Sequence, residues 1–124
     1  MEISPDPAEL ARMREFVRFS ADRWGLEESE CFRAQLVATE AVTNAIRHGA
    51  QSERGESPIV VTCGWDGNGF TIEVGDRGRF RHRKPSRADD TGGRGLGLIE
   101  RFTNRFDLET GDEGTRLRML VGAA

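Results

Sequence analysis

The sequence predicts an α+β fold, a two-layer α/β sandwich whose mostly antiparallel mixed sheet carries helices on one face. Apolar residues recur at helical spacing in three segments, and β-branched runs come in two pairs joined by Gly-rich turns. The predicted order along the chain is therefore α-α-β-β-loop-α-β-β. Strands joined by such short turns pair antiparallel, and the helices are left to cover one face of the sheet.

The composition is that of one folded domain. Of the 124 residues, 36% are hydrophobic and 31% are charged, which is typical of a globular protein, so we expect a single domain over residues 1–124. No apolar run approaches the roughly 20 residues of a membrane span. We therefore expect no membrane contact and a cytoplasmic location. The net charge of −3 argues against a protein that mainly neutralises nucleic-acid phosphates.

Two amphipathic helices are predicted before the first strand. The first begins at Asp6-Pro7, an N-cap followed by a proline at the first helical position, and its apolar pattern stops at Gly25. The second starts at Glu27, where acidic residues suit the positive end of a helix, and runs to Gly49. Residues 50–58 are polar and predict a linker.

A β-hairpin is predicted after this linker. The β-branched runs Ile59–Cys63 and Phe70–Val74 are joined by Trp65–Gly69, which contains both a D-G and an N-G dipeptide. From Gly75 to Gly95 the chain is rich in Gly, Arg and Asp and shows no periodicity. We interpret this stretch as a long functional loop.

The C-terminal part predicts one more helix and one more pair of strands. Helical spacing returns over Leu96–Phe106. The strands Leu108–Thr110 and Thr115–Val121 follow, with a turn at Gly111–Gly114 between them.

Glu40, Asn44 and His48 recur every fourth residue along the second helix and so lie on one stripe. A carboxylate one turn from an amide can act as a general base beside a Mg²⁺ ligand, since Mg²⁺ prefers oxygen donors. A solvated polar stripe is the simpler interpretation of Glu40 and Asn44 taken alone. The helix dipole by itself accounts for a histidine in the last turn.

Asp76 and Gly78 stand at the end of a predicted strand. An Asp in this place can accept a hydrogen bond from the exocyclic amine of adenine, which guanine lacks at that ring position. The alternative is an ordinary strand-ending turn, where Asp and Gly are common.

The stretch Gly92–Leu98, which reads GGRGLGL, leads into the third predicted helix. Its glycines let backbone N–H groups approach phosphate oxygens, and Arg94 can add positive charge. A flexible loop is the alternative. The spacing is not that of a dinucleotide-binding site, and no strand immediately precedes it, so a Rossmann site is poorly supported.

Together and in this order, these stretches resemble the motifs of the GHKL ATPase family. That family shares the Bergerat ATP-binding fold and includes gyrases, a major heat-shock chaperone, mismatch-repair ATPases and histidine kinases. Glu40-x-x-x-Asn44 is similar to the family's N-box and Asp76-x-Gly78 to its first glycine box. Gly93-x-Gly95-x-Gly97 is similar to the second glycine box, and Gly114-Thr115 to the last. The resemblance covers about residues 8–121.

The resemblance implies a chain that binds ATP and Mg²⁺. By this resemblance, Glu40 would be the catalytic base, Asn44 the Mg²⁺ ligand and Asp76 the reader of the adenine amine. The other residues expected at the nucleotide are His48, Gly78, Gly93, Arg94, Gly95, Leu96, Gly97 and Thr115.

The small size, without an appended domain, resembles the anti-sigma factor serine kinases and related bacterial switch proteins. That implies a transcription regulator that binds a sigma factor and phosphorylates a serine of a STAS-domain antagonist as a Mg-ATP-dependent protein serine/threonine kinase. A homodimer is left open, because only Met1–Ser4 precedes Pro5, where such kinases commonly have a strand used in the sheet and in dimerisation.

Two other functions fit the same motifs. A non-catalytic module would use ATP only to order its loop and present a protein-binding face, although Glu40 favours catalysis. The catalytic domain of a histidine kinase is less well supported, because no helical segment with a phosphoacceptor histidine precedes the domain. The basic run from Arg77 to Arg87 is either a solvated loop or one that reaches phosphates or an acidic partner surface.

Overall fold

A computed structural model describes residues 1–48, 51–52, 55–56, 58–76, 96–111 and 114–122 of the chain. Its three α-helices are α1 (Leu10–Arg23), α2 (Glu28–His48) and α3 (Leu96–Phe102). A single 3-10 turn, Pro7–Glu9, leads into α1.

Five strands form the main sheet, and they are β1 (Glu2–Ile3), β4 (Ile59–Trp65), β5 (Phe70–Asp76), β6 (Arg105–Gly111) and β7 (Gly114–Val121). Their spatial order is β1-β4-β5-β7-β6. Every pairing among them is antiparallel. Two short strands, β2 (Gln51–Ser52) and β3 (Gly55–Glu56), pair separately.

The core lies between the helices and one face of this sheet. Along β5 every second residue is buried, and along β7 the buried residues alternate in the same way, as expected for strands with one solvated face. Helix α2 buries several small side chains, among them Ala34, Ala38 and Ala41. It packs on β4, β5 and β7, while α1 covers β4 and α3 contacts α2 and β6. The predicted α+β sandwich with helices on one face is confirmed.

The predicted ends of the first helix are also confirmed. Asp6 is the N-cap of the entering turn, and its Oδ1 accepts a hydrogen bond from the Ala8 N–H at 2.9 Å. Gly25 follows the last turn with a φ of +80°, a conformation that a side chain disfavours.

The third helix is shorter than the sequence predicts. It ends at Phe102 rather than Phe106, and Phe106 belongs to β6. The Thr103 hydroxyl donates to the Ile99 carbonyl oxygen at 2.7 Å, and the next N–H, that of Asn104, donates to the Leu120 carbonyl oxygen at 2.7 Å. The chain therefore leaves the helix directly into the sheet, because tertiary pairing prevails over helical spacing.

Three strands lie where none was predicted. The segment 50–58, expected to be a linker, contains β2 and β3. The N-terminal segment, expected to be too short, forms β1, in which Glu2 and Ile3 pair with β4. In addition, β5 continues through Gly75 and Asp76, which the sequence assigned to a loop. The prediction of one domain over 1–124 stays a prediction.

Candidate functional site

The direction of α2 fixes which end of the sheet its polar stripe approaches. A Cβ added to Gly122, just after β7, would lie 3.3 Å from the Cδ of Glu30 and 3.4 Å from the Cγ of Leu26. The N-terminus of α2 therefore lies at the Val121 end of β7. Its C-terminal half points toward the other end, where β7 begins.

The lengths of α2 and β7 indicate that the polar stripe of Glu40 and Asn44 lies level with the start of β7. Asn44 is fourteen residues beyond Glu30, which is about 21 Å along a helix. Thr115 is seven residues before Gly122, which is about 24 Å along a strand. Because α2 packs along β5 and β7, Asn44 lies near the end of the sheet that carries Thr115.

Asp76 and Thr115 meet at that same end. They are directly paired across β5 and β7, so their side chains project from the same face of the sheet. That face is the one covered by helices, because Val74 and Leu117, two residues away on each strand, are core residues. Among the described residues, Asp76 is the only charged side chain that is buried, with 7% of its surface exposed.

Two buried polar atoms in this region have no hydrogen-bond partner in the described part of the chain. They are Nδ2 of Asn44 and Oγ1 of Thr115. An unsatisfied buried group of this kind costs roughly 1–3 kcal/mol. Native proteins therefore retain few of them, and those retained commonly have a ligand, an ion or a water as partner. An amide, a hydroxyl and a carboxylate gathered in this way suit a polar ligand that offers both donors and acceptors.

Glu40 and the start of α3 carry the other predicted site residues that the structure describes. Glu40 is half-buried one helical turn before Asn44, as the four-residue spacing predicts. Leu96 and Gly97 are the first two residues of α3, which packs against α2. A Cβ on Gly97 would meet no atom within 4 Å, so the packing of the chain does not itself require glycine there.

Several predicted site residues lie beyond what the structure describes. His48 is the last residue of α2, and only its place in the helix is described. The basic run 77–88 and the loop up to residue 95 fall outside the described residues, as do four predicted contacts: Gly78, Gly93, Arg94 and Gly95.

The burial of Asp76, and of the hydroxyl oxygen of the half-buried Thr115, was not predicted from the sequence. Asp76 was assigned to a loop, whereas it is the last residue of β5 and lies on the core side. Its place in the alternation of Phe70, Ile72 and Val74 was the available signal, because the same two-residue period continues to Asp76. Thr115 likewise continues the alternation of the buried residues of β7.

The cysteines lie in other parts of the core. Both are free thiols. Burial raises the pKa of the Cys63 thiol to about 11, while a hydrogen bond with Ser20 and the N-terminal amine act in the opposite direction. Burial, with a hydrogen bond to Asp22, also raises the pKa of Cys31. Neither thiol is set up as a thiolate nucleophile.

No group of three or more His, Cys, Asp or Glu side chains placed to hold a metal ion occurs among the described residues. Asn44 as a Mg²⁺ ligand stays a prediction. Within the described ranges, no helix has both the length and the apolar character needed to span a membrane.

Comparison with known proteins identifies the fold family. Residues 3–121 match the family model of the histidine kinase-like ATPase domain. No curated protein sequence matches the chain. Among solved structures, the chain is similar to the histidine kinase domain from Erythrobacter litoralis EL346 blue-light activated histidine kinase, with a TM-score of 0.58 and 16% sequence identity. The superposition covers 94% of this chain and 60% of that one, and at this identity the likeness shows the fold alone.

The match to the family covers all but the first two and the last three residues of the chain. It confirms the resemblance found in the motifs, and members of this family bind ATP, typically with Mg²⁺. The chain belongs to the family of histidine kinase-like ATPase domains and is a GHKL-type ATPase domain.

Proposed function

We propose that the chain binds Mg·ATP where the C-terminal half of α2 meets the adjoining ends of β5 and β7, and that it acts as a protein serine kinase. The proposed acceptor is a serine of a STAS-domain antagonist, in a switch that also binds a sigma factor. The observation that carries the proposal is the pair of orphaned buried atoms, on Asn44 and Thr115, at the end of the sheet that holds Asp76.

The residues present fit a nucleotide with its metal. Thr115 offers a buried hydroxyl beside the Asp76 carboxylate, which suits the donors and acceptors on the edge of an adenine ring. A 180° rotation of the Asn44 side-chain amide puts its oxygen where the unpartnered nitrogen now lies. In that orientation the oxygen is available to Mg²⁺. A single ligand would thus satisfy the Asn44 amide nitrogen and the Thr115 hydroxyl, the two groups that lack a hydrogen-bond partner in the described part of the chain.

Glu40 is the residue proposed for the proton transfer. Its carboxylate is half-buried and stands one turn before Asn44, on the same stripe of α2. It would take the proton from the hydroxyl of the acceptor serine at its own carboxylate oxygen, as a general base. Bound ATP would supply its γ-phosphoryl group to the serine oxygen and leave as ADP, and Mg²⁺ would neutralise part of the phosphate charge.

The serine kinase assignment is supported by the motif resemblance and by the presence of Glu40, and the partner class by the resemblance alone. The first step of the test is to recover proteins bound to the chain from the native cell extract, with and without ATP. We expect a STAS-domain protein and a sigma factor among them, with proportions that depend on the nucleotide.

The second step is phosphate transfer to the recovered STAS protein. Glu40→Gln should bind Mg·ATP nearly as the unmodified chain does and should lower the transfer rate by roughly two to four orders of magnitude. Glu15→Gln, which changes an exposed carboxylate on α1, is the matched control and should leave both quantities unchanged.

Three outcomes would contradict the kinase proposal. They are an unchanged transfer rate in Glu40→Gln, a phosphorylated product that is acid-labile as phosphohistidine is, and tight Mg·ATP binding with no transfer to any recovered protein. The last result would indicate the non-catalytic ATP-dependent binding module.

A further inference from the structure

Strand β6 is a long strand at one edge of the main sheet. Its outer side has no partner strand in the described part of the fold. Among the described strands, β6 pairs only with β7. Six of its seven residues are exposed, and the remaining one, Phe106, is half-buried. The opposite edge, β1, is only two residues long. Short edge strands resist pairing with other chains, whereas a seven-residue edge presents a row of backbone donors and acceptors.

The two faces of β6 differ in chemistry. Phe106 and Leu108 lie opposite Met119 and Leu117, so they project to the helix-covered side. Leu108 nevertheless remains 42% exposed, although Leu117 beside it is buried. The outer face carries the charged residues, which are Arg105, Asp107 and Glu109. The edge thus combines an uncovered apolar residue with charges of both signs.

We propose that β6 pairs with β6 of a second copy of this chain, antiparallel about a two-fold axis through Asp107, to form a continuous ten-stranded sheet. In this register Arg105 of each copy lies opposite Glu109 of the other, which gives two cross-strand ion pairs. Phe106 of each copy then lies opposite Leu108 of the other on the helix side. Leu108 is thereby covered.

Charge and the length of overlap together select this register over its neighbours. If the helices of both copies lie on the same side of the joint sheet, one β6 strand can be shifted along the other only in steps of two residues. A shift of one residue would exchange the two faces, because side chains alternate between them. The register of full overlap would place Asp107 opposite Glu109 twice, which is two like-charge pairs. A shift in the other direction places Arg105 opposite Asp107 twice, but it leaves only three residue pairs within the strands, against five in the proposed register.

The proposed register contains one like-charge contact, between the two copies of Asp107. Each Asp107 lies opposite Arg118 in the register of β6 with β7, so a positive charge stands on the neighbouring strand, although the guanidinium of Arg118 also lies 3.7 Å from the Asp66 carboxylate. Arg116 also holds Glu109 within its own chain at 3.1 Å, which orients the carboxylate on the outer face. Charges of both signs therefore alternate on the outer face across β6 and β7 of the two copies.

The proposed dimer is weak and independent of the nucleotide site. A single strand pair buries less than about 1,200 Å², so we expect a dissociation constant on the order of micromolar to millimolar. The antiparallel arrangement places the two copies of Asp76 at opposite ends of the joint sheet, so pairing leaves the nucleotide sites uncovered.

Two experiments test the proposal. In the first, sedimentation equilibrium follows the full chain over a range from about 10 μM to 1 mM. Arg105→Glu should raise the dissociation constant roughly tenfold or more, because two ion pairs become two like-charge pairs. The charge swap Arg105→Glu with Glu109→Arg should restore association. A chain that stays monomeric throughout, or a charge swap no better than Arg105→Glu alone, overturns the proposal.

The second experiment tests the register by disulfide formation under oxidised glutathione. Two Asp107→Cys strands paired at the two-fold axis have Cα atoms about 4.5–5.5 Å apart, within the span of a disulfide. We expect a cross-linked dimer from Asp107→Cys and none from the controls Thr62→Cys, on the outer face of β4, and Glu2→Cys, on the β1 edge. Cross-linking through Glu2→Cys instead would place the contact at the other edge and overturn the proposal.

Discussion

At the scale of single residues, Asp76 should decide which base the site accepts. A buried carboxylate accepts a hydrogen bond from the adenine amine but repels the carbonyl oxygen that guanine presents in its place. We expect GTP to bind at least about 100-fold more weakly than ATP, and Asp76→Asn to weaken ATP binding by about tenfold, since a neutral acceptor replaces a charged one. Titration calorimetry measures both, with exposed Asp107→Asn as the control. Equal affinities for ATP and GTP would refute the assignment.

A second prediction at this scale concerns the Cys63 thiol and alkaline pH. Its pKa is raised from 9.0 to about 11 in the folded chain, mainly by burial. Above pH 9 the unfolded chain therefore loses the proton first and binds fewer protons than the folded one. Stability is unaffected by this thiol below pH 9 and falls as the pH rises toward 11, by on the order of 2 kcal/mol.

The measurement is the free energy of unfolding by urea at several pH values between 8 and 11. The chain contains no tyrosine and a single lysine, Lys84, so few other groups titrate in this range. Cys63→Ala should flatten the pH dependence, whereas Cys31→Ala should keep the part due to Cys63. An equal slope in Cys63→Ala and the unmodified chain would show that this thiol is not responsible.

At the scale of secondary-structure elements, we expect a substitution at Gly97 to affect the stability of α3 and nucleotide binding in opposite directions. Glycine in a helix costs up to about 1 kcal/mol relative to alanine, and a Cβ at Gly97 would meet no atom within 4 Å. Gly97→Ala should therefore raise the free energy of unfolding by several tenths of a kcal/mol. It should also weaken ATP binding about tenfold if the backbone here approaches the phosphates.

The control for this change is Gly111→Ala, at the exposed end of β6. A Cβ at Gly111 also meets no atom within 4 Å, and its φ is not positive. It should leave ATP affinity unchanged. If Gly97→Ala binds ATP as tightly as the unmodified chain, the proposed role of this glycine is wrong.

The elements were predictable where the signal is local. The N-cap at Asp6, the C-terminal glycine at Gly25 and the hairpin between β4 and β5 all follow from patterns within a few residues. The end of α3 was not predictable in this way. Phe106 continues the helical spacing, yet it pairs with Met119 in the sheet, and that pairing depends on a strand further along the chain.

At the scale of the whole molecule, the sequence placed Glu40 and Asn44 on their helix but did not show which site residues from different elements lie together. Glu40 and Asn44 share a stripe because of helical periodicity alone. The meeting of Asp76 with Thr115 depends on β5 pairing with β7, and α3 and β6 separate these strands along the chain. Local patterns hold no information about such a pairing. The family resemblance grouped these residues because it is drawn from the complete set of motifs, and the grouping as a whole stays a prediction.

The most direct test of the nucleotide site is a calorimetric titration with ATP, in the presence and absence of Mg²⁺. We expect one bound ATP per chain and tighter binding with Mg²⁺. Asn44→Ala should weaken binding about tenfold or more with Mg²⁺ and much less without it, because it removes a proposed metal ligand. Asn68→Ala, in the exposed turn between β4 and β5, should bind as the unmodified chain does. No binding of Mg·ATP, or full affinity in Asn44→Ala with Mg²⁺ present, would contradict the account.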